Sequence, residues 1–388
     1  MKVLFAYNGR VEIDEHGRYY GNELNDRLVE RYRYFGDQVT FIVRTRPIHA
    51  VAASELQPFE SNLQVIPVPE MNTPFLFLRN RTVIHHKIKH AVNEHDVIIV
   101  REPGYVGRIA AQYARYFNKP YLTEVVGDPY DALSNHSTLG KIYAPIARRS
   151  MLKSIAKADP VLYVTKEYLQ QRYPSTGYQL GLSDVVLKPS GEEVLESRIH
   201  KIGMRKHDDE LVVGTAAALD VKYKGHEYVL QAMSILASQG IQLKYQVAGK
   251  GTGDRLVRLA NDLGVRSQLD IIGQIPHGQV FDFLDNIDLY IQPSVTEGLP
   301  RALVEAMSRA CPCLGSRVGG IPELLPDKYL FEKRNAKQLA GIIAGLSRHD
   351  LENMARQNAE AAKRFDPERS AESRLEFYDR FKRTYSSQ

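Results

Sequence analysis

The chain has 388 residues, 43% of them hydrophobic and 25% charged, and a net charge of +5, which is typical of a folded globular protein. Its length predicts two domains of comparable size. No apolar run reaches the roughly 20 residues that cross a bilayer, and the start, MKVLFAYNGRVE, lacks the apolar core of a signal peptide. Two cysteines, Cys311 and Cys313, indicate neither a disulfide nor a metal cluster. A cytoplasmic protein without a membrane span is therefore expected.

The charge is unevenly distributed. Residues 79–173 carry 15 Lys and Arg against 8 Asp and Glu, so this region has a net charge of +7 and the rest of the chain −2. A basic region of this kind can meet nucleic acid, an anionic membrane surface or a phosphorylated substrate. Charge alone does not choose among these partners.

Short apolar runs alternate with amphipathic stretches through the first half. The pattern predicts strands at 3–7, 39–43, 63–67, 97–100, 121–126 and 161–164, and helices at 22–34, 81–93, 105–117 and 141–158. Repeated β–α–β units form a parallel sheet with helices on both faces, and such sheets place their ligands at the carboxyl ends of the strands.

Glycines follow the first predicted strand. Gly9, and then Gly21 beside Asn22, precede the first predicted helix and let a backbone approach whatever occupies the crevice. The chain has no G-x-G-x-x-G, so the two glycines are equally typical of ordinary turns.

A helix rich in histidine and lysine is predicted at 81–93, directly after the apolar residues 74–78. Arg81, Lys87 and Lys89, beside this apolar bulk, favour an interfacial helix on an anionic surface. A solvated surface helix with a buried stripe fits the pattern as well. A metal site is not expected from the histidines, because no carboxylate or cysteine stands at ligand spacing.

The segment TEVVGDPYD, residues 123–131, ends a predicted strand at the sheet edge where functional loops gather. There Asp128 is a candidate to hydrogen-bond a substrate hydroxyl or to accept a proton. Alternatively, Asp128 caps the turn that it makes with Pro129. Both hypotheses stand at this point.

The two halves of the chain are separated by a charged stretch. Residues 188–191, Lys-Pro-Ser-Gly, end the last strand of the first half, and 191–210 shows little apolar periodicity, so a linker is predicted there. Strands are then predicted at 211–215, 244–247, 269–272, 287–291 and 312–314, and closing helices at 336–346, 351–365 and 371–383. The predicted domains are accordingly 1–190 and 211–368.

Lysines and glycines follow the first strands of the second half. Lys222 and Lys224 precede a predicted helix, where a lysine can reach a diphosphate as a flexible point charge. Taken alone, they are more typical of ordinary surface lysines. Glycine-rich turns at Gly249 and just before Ile275 are likewise common after strands.

The most informative stretch is residues 291–325, IQPSVTEGLPRALVEAMSRACPCLGSRVGGIPELL. A helix predicted to begin at Pro300 or Arg301 follows a polar loop, and its unpaired N–H groups form a natural seat for a phosphate. Two carboxylates, Glu297 before the helix and Glu305 inside it, can accept hydrogen bonds from hydroxyls. Two acids in these places are also typical of helix caps and dipole partners.

The wider pattern resembles the E-x7-E signature of family 4, a large group of retaining glycosyltransferases with the GT-B fold. The resemblance rests on Glu297-Gly298-Leu299-Pro300, Glu305-Ala306-Met307 and Gly319-Gly320-Ile321-Pro322-Glu323, and it covers the second half densely and the first half loosely. It implies an α/β fold of two Rossmann-like, doubly wound parallel-sheet domains facing a central cleft. It also implies that the last helix, 369–388, packs back on the first domain.

The resemblance further implies the site residues. Lys224 would stabilise the leaving diphosphate, Glu297 would hold the sugar and Glu305 would hold the ribose. Asp128 is kept as a catalytic candidate from its place at the strand end. The other donor-binding positions that the family pattern implies are Gly21, Lys222, Gly249, Ile275, Gly298, Leu299, Pro300 and Arg301. The chain departs from the family in two places. An arginine is missing at Ala217 or Ala218, where Lys222 or Arg301 would replace it, and a histidine is missing near Asp128.

The implied activity is transfer of a hexosyl or N-acetylhexosaminyl group with retention from a nucleotide-diphosphate donor, a UDP-sugar being favoured over a GDP-sugar. No D-x-D pair stands in a metal-binding context, because Asp208-Asp209, Asp282 and Asp285 are better explained as charged surface. No metal or other cofactor is therefore expected.

The basic region and the resemblance together predict the partners. The expected acceptor is a lipid-linked saccharide in capsule, O-antigen or exopolysaccharide synthesis, met at the anionic inner face of the plasma membrane, and nucleic acid is not expected. A nucleotide-sugar epimerase of similar architecture and a non-catalytic sugar-nucleotide-binding regulator remain as alternatives.

Overall fold

The computed structural model describes residues 1–21, 24–48, 57–61, 63–71, 73–135, 138–185, 187, 191–206 and 209–386. Asn22, residues 188–190 and Asp208, which carry parts of the predictions above, lie outside these ranges. Within the described ranges the chain forms two α/β domains, each built on its own mainly parallel sheet. The predicted fold class is confirmed.

The sheet of the first domain is organised around its long first strand. Its strands are β1 Lys2–Ile13, β2 Tyr19–Gly21, β3 Gln38–Pro47, β4 Gln57–Pro58, β5 Gln64–Val68, β6 Val97–Glu102, β7 Tyr121–Val125, β8 Val161–Tyr163 and β9 Gln179–Gly181. The parallel order is β5-β3-β1-β6-β7-β8-β9, and β2 and β4 join the far end of β1 in antiparallel pairing. The parallel strands thus end on one common edge.

Helices cover both faces of this sheet. They are α1 Asp26–Arg33, α2 Pro74–Glu94, α3 Tyr105–Tyr116, α4 Pro129–Ser134, α5 Thr138–Ile155 and α6 Tyr168–Arg172. Ile88 of α2, Ile109 of α3 and Met151 of α5 share one core, whereas Val29 of α1 lies in the core on the other face. From β5 to β8 the chain advances in one direction, so right-handed crossovers place α2, α3 and α5 on the same face.

The second domain repeats the plan with six described strands. After α7 Glu192–Met204 come β10 Leu211–Ala216, α8 His226–Ser238, β11 Leu243–Ala248, α9 Asp254–Asp262, β12 Leu269–Gly273, α10 Val280–Asn286, β13 Leu289–Gln292, α11 Arg301–Ser308, β14 Cys313–Ser316, β15 Leu330–Phe331, α12 Ala336–Ala344 and α13 Arg348–Ala362. The order β12-β11-β10-β13-β14-β15 reverses direction beside β10. In open sheets of this kind, ligands bind at that reversal.

The last helix, α14 Pro367–Ser386, returns to the first domain. Tyr378 and Phe381 are buried there, with ring centroids 4.7 Å and 5.6 Å from that of Phe35. Arg374 also lies 3.4 Å from the carboxylate of Asp184, in the segment that leaves the first domain. The chain passes between the domains twice, after Asp184 and again before α14. These two segments therefore contact each other, and α14 packs on the first domain.

The linker predicted for 191–210 is wrong over its first part, which forms α7. Leu195, Ile199 and Ile202, four and three residues apart, pack on the core of the second domain. Buried Arg198 donates to two backbone carbonyls at the end of α10. Charged residues between these apolar positions obscure the helical pattern in the sequence. The helix is stabilised by its packing on the domain core.

Two helix starts also differ from the predictions. β1 continues past Gly9 and returns through a tight turn as β2, so Gly21 lies in a strand and α1 begins only at Asp26. The apolar residues expected to precede the second helix are instead its first turn, because Thr73 caps α2 by accepting from the Leu76 N–H at 3.2 Å.

Candidate active site

A loop and a helix N-terminus stand at the carboxyl edge of the second sheet. β13 ends at Gln292, and α11 begins at Arg301 after an extended Pro300 that offers no side-chain cap. Pro300 gives this helix start no side-chain cap, and the helix dipole adds partial positive charge, so the terminus suits an anion.

Lys224 and Glu297 meet beside this terminus. Lys224 Nζ lies 2.7 Å from Glu297 Oε1, and the same oxygen accepts from Ser294 Oγ at 2.7 Å and from Gln292 Nε2 at 3.2 Å. This contact uses one donor of an ammonium group that has three, so Lys224 can hold the carboxylate and an anion together. Sequence reasoning did not find Ser294 and Gln292, which orient Glu297.

The turn that carries Lys224 is attached to the Glu297 loop by its backbone. Val295 N donates to Tyr223 O at 2.8 Å. Gly225 has a φ of +79°, and a Cβ on it would stand 1.9 Å from Pro293 O. Only glycine fits there, so Lys224-Gly225 sets the lysine against the loop.

Glu305 lies one turn inside α11 and is 6% exposed. Arg301 Nε donates to Glu305 Oε1 at 2.9 Å. Burial, with the carboxylates of Glu297 and Glu305 nearby, raises the pKa of Tyr290 well above its usual value, and its hydroxyl donates to Gln292 Oε1 at 2.8 Å. Glu305 thus lies on the helix that begins directly after the Glu297 loop.

The glycine-rich turns line the same sheet edge. A Cβ on Gly249 would stand 2.0 Å from Ala217 O, and Gly249 N donates to Gly273 O at 2.7 Å. Ile275 is half-buried just beyond this contact. Alanine stands at 217, and the exposed Lys222 follows it in the turn that leads to Lys224.

Part of the first domain faces this loop across the cleft. A Cβ on Gly298 would lie 3.0 Å from Val126 O, and one on Gly320 would lie 3.2 Å from Thr165 Cγ2. Gly320 N also donates to Gly298 O at 2.7 Å. The strip from Gly298 to Pro300 is thus held between the two domains.

Asp128 stands near this wall, but its carboxylate is engaged within its own domain. It is 6% exposed, and Oδ1 accepts from Tyr130 N at 2.8 Å, which makes it the N-cap of α4. The Tyr173 hydroxyl donates to Asp128 Oδ1 at 2.5 Å, and Arg172 Nε lies 2.6 Å from Asp128 Oδ2. The geometry favours the capping hypothesis over a direct contact with substrate.

Four other predicted positions lie outside the Lys224–Glu297 cluster. A Cβ on Gly21 would stand 2.0 Å from Leu24 O, so packing within the first domain accounts for the glycine. Arg81, Lys87 and Lys89 lie on α2 in the outer helical layer, and Lys87 Nζ donates to Pro67 O at 2.7 Å.

Glu323, at the end of the G-G-I-P-E motif, forms a contact between the domains. Its carboxylate accepts from the backbone N–H groups of Lys166, Glu167 and Tyr168 at 2.7, 3.2 and 2.6 Å. Hydrogen bonds to an ionised acceptor are stronger than neutral ones, so Glu323 fixes how the second domain meets α6. Its place in the motif was visible in the sequence, but its partner was not.

A buried histidine lies beneath the lysine turn. Burial lowers the pKa of His226 to about 4, and its ring nitrogens contact Tyr245 Oη at 3.0 Å and Ala218 O at 3.2 Å. The imidazole is therefore neutral at pH 7, and Lys224 supplies the positive charge beside it.

A buried carboxyl group lies at the edge of the first sheet. Burial, opposed by Arg108 and the Gly104 N–H, raises the pKa of Glu102 to about 7 from 4.5. The folded state thus binds the Glu102 proton more tightly than the unfolded state does. The stability that the protonated Glu102 contributes is complete below pH 4.5 and is lost as pH rises through 7.

We expect wild type to lose about 3 kcal/mol of unfolding free energy relative to Glu102→Gln between these pH values. Parallel urea-unfolding profiles of the two proteins would contradict this.

In the part of the chain that the structure describes, metal-binding groups and thiols give no sign of a further centre. Among the described residues, no three His, Cys, Asp or Glu side chains are placed to hold one metal ion. Cys311 and Cys313 are both buried and free.

Comparison with known proteins agrees with this geometry. Residues 198–365 match the family model described as glycosyl transferases group 1. Protein CapJ of Staphylococcus aureus is 27% identical over 347 residues, which are 88% of this chain and 85% of CapJ. The amylovoran biosynthesis glycosyltransferase AmsK of Erwinia amylovora is 27% identical over 226 residues, which cover 54% of each chain.

A solved structure shares the whole architecture. The Anabaena protein Alr3699/HepE, crystallised with UDP, superposes with a TM-score of 0.65 over 100% of both chains at 16% identity. Its fold is two facing Rossmann-like domains, as here. Residues 198–365 are thus similar to the group 1 glycosyl transferases, and the chain as a whole has the GT-B fold.

Proposed function

We propose that the chain moves a hexosyl or N-acetylhexosaminyl group, with retention, from a UDP-sugar or, in second place, a GDP-sugar to a lipid-linked saccharide in surface-polysaccharide synthesis. The observation that carries the proposal is the 2.7 Å Lys224–Glu297 pair beside the uncapped start of α11. The name of AmsK, an amylovoran biosynthesis glycosyltransferase, supports a role in polysaccharide synthesis, and the UDP bound to HepE supports the donor base.

The proposed chemistry is electrostatic. As the bond between sugar and diphosphate breaks, negative charge grows on the leaving phosphate, and Lys224 and the first N–H groups of α11 stabilise it. Glu297, which is oriented by hydrogen bonds from Ser294 and Gln292, accepts hydrogen bonds from hydroxyls of the donor sugar. Glu305, already buried, accepts from the ribose hydroxyls.

Products from a panel of nucleotide sugars test the reaction. The purified chain is incubated with each donor, with and without a lipid-linked saccharide acceptor, and the products are analysed by mass spectrometry. The proposal predicts acceptor-dependent release of nucleoside diphosphate and one added hexose or N-acetylhexosamine. Interconversion of the donor would indicate an epimerase, and binding without turnover would indicate a regulator.

Activity is expected to persist in EDTA, because Lys224 and the α11 terminus take the charge-neutralising role of a divalent ion. Initial rates are compared before and after chelation and dialysis. Loss of activity in EDTA that magnesium or manganese restores would show that a metal takes part.

The acceptor implies a working place at a membrane surface. We infer a cytoplasmic enzyme that acts on lipid-linked substrate at the inner face of the plasma membrane. Among the described residues no helix is both long and apolar enough to cross a bilayer.

A further inference from the structure

The first turns of α5 expose a row of large apolar side chains. Leu139, Ile142, Tyr143 and Ile146 are 70%, 69%, 48% and 59% exposed. Their spacing of three and four residues places them on one face of the helix. The opposite face is buried in the first domain through Gly140, Ala144, Ala147 and Met151. A helix apolar on both faces is normally covered on both, and here one face is open.

The start of α2 extends this apolar area. Phe75 and Leu78 are 71% and 68% exposed. The ring centroid of Phe77 lies 4.8 Å from that of Tyr105, at the start of α3, and α3 packs between α2 and α5. Six of the 13 large hydrophobic side chains exposed among the described residues thus lie on these two helix starts, which we name the rim surface: Phe75, Leu78, Leu139, Ile142, Tyr143 and Ile146.

The rim surface stands at the entrance to the cleft. α2, α3 and α5 each follow the carboxyl end of a parallel strand, so their first turns lie at the cleft edge of the layer. Asn135, three residues before α5, accepts from Arg334 Nη2 of the second domain at 3.1 Å. A membrane that covered the rim surface would therefore lie beside the opening between the domains.

Charge identifies the kind of partner. The sequence of α5, residues 138–155, contains four basic residues and no acidic one. Arg149 and Lys153 follow Ile142 and Ile146 on the same outward face, seven residues further along the helix in each case. A second copy of the chain would bring these positive charges against each other, whereas anionic lipid headgroups match them.

We propose that the rim surface inserts its apolar side chains into an anionic bilayer while Arg149 and Lys153 bind lipid headgroups. This membrane contact orients the cleft toward a lipid-linked acceptor. Only the identity of that acceptor rests on the proposed function. The basic contact with the membrane is therefore assigned to the outward face of α5 and not to the α2 lysines that the sequence favoured. One of those lysines, Lys87, donates to Pro67 O.

Vesicle sedimentation of the full chain tests the apolar contact. Vesicles of phosphatidylcholine, with or without phosphatidylglycerol, are used at low and high salt. Ile142→Ser with Ile146→Ser is expected to lower binding to anionic vesicles about 100-fold, roughly tenfold for each side chain withdrawn from the lipid. Ile272→Ser with Leu375→Ser, at side chains 40% and 47% exposed elsewhere, is the matched control and should bind as wild type does.

The charged contact is tested separately. Arg149→Glu with Lys153→Glu should lower binding at least 25-fold at low salt, about fivefold for each cation lost, and the defect should shrink at high salt. Lys337→Glu, an exposed lysine on α12, is the control. Equal binding of wild type to neutral and anionic vesicles, or wild-type binding by the Ile142/Ile146 variant, would overturn the proposal.

Two further measurements distinguish a membrane contact from self-association and from a part in the chemistry. Analytical ultracentrifugation should show the same oligomeric state for wild type and the Ile142/Ile146 variant, and a dimer that this variant dissolves would overturn the proposal in favour of a second copy. Transfer to a short water-soluble acceptor should be unchanged in the variant. If the chain bound vesicles but had no transferase activity, the membrane contact of the rim surface would hold and the proposed function would be wrong.

Discussion

Replacing Lys224 by alanine is expected to lower the turnover number about 10²- to 10³-fold while changing donor affinity much less. The diphosphate gains charge only as its bond to the sugar breaks, so a cation placed there acts mainly on the transition state. Nucleoside diphosphate release at saturating donor gives the turnover number, and calorimetric titration gives the donor affinity. The substitution also leaves Glu297 without its 2.7 Å partner, so thermal unfolding is measured in parallel.

Two variants sharpen this result. Lys224→Arg should remain impaired, since a planar guanidinium does not reproduce a compact ammonium between a carboxylate and a phosphate. Lys244→Ala removes a lysine of the same domain that lies 3.9 Å from Asp270, and it should keep full turnover. A folded Lys224→Ala protein with a normal turnover number and only weaker donor binding would make Lys224 a simple anchor.

Replacing Glu305 by alanine is expected to weaken binding of the nucleoside diphosphate about 10- to 150-fold. An ionised acceptor that serves ribose hydroxyls in a desolvated site is worth about 1.5 to 3 kcal/mol. Glu305 is 6% exposed and already holds Arg301 at 2.9 Å, so its position is set before the ligand arrives. Calorimetric titration with UDP gives the dissociation constant directly.

The control for Glu305 removes an ion pair at the opposite end of α11. Asp285 lies 2.6 Å from Arg309, which follows the last residue of α11, and Asp285→Ala should bind UDP as wild type does. Glu305→Gln, which keeps the shape and loses the charge, should fall between wild type and Glu305→Ala. Unchanged UDP affinity in a folded Glu305→Ala protein would remove Glu305 from the donor site.

The loop and helix of the second domain could be predicted because their information is local. Glu297, Pro300 and Glu305 lie within one strand–loop–helix unit, where residue spacing sets geometry. Lys224 is 73 residues from Glu297, and its place rested on a family resemblance rather than on spacing. The structure adds the reason for that place, since Gly225 brings the lysine turn against Pro293.

Other features could not be predicted because they depend on contacts distant in sequence. The three N–H groups that bind Glu323 belong to residues about 155 positions away. The helix over 141–158 was predicted, but which of its apolar faces is buried was not, because both faces carry apolar residues. For Asp128, sequence left two hypotheses, and only its contacts with Tyr173 and Arg172 favour the cap.

A crystal structure of the chain with UDP tests the central proposal, that the start of α11 and its carboxylates form the donor site, most directly. The expected result places the diphosphate within hydrogen-bond distance of Lys224 Nζ and of the first N–H groups of α11, with the ribose hydroxyls on Glu305. UDP bound elsewhere, with the 2.7 Å Lys224–Glu297 contact and the α11 terminus untouched by ligand, would contradict it.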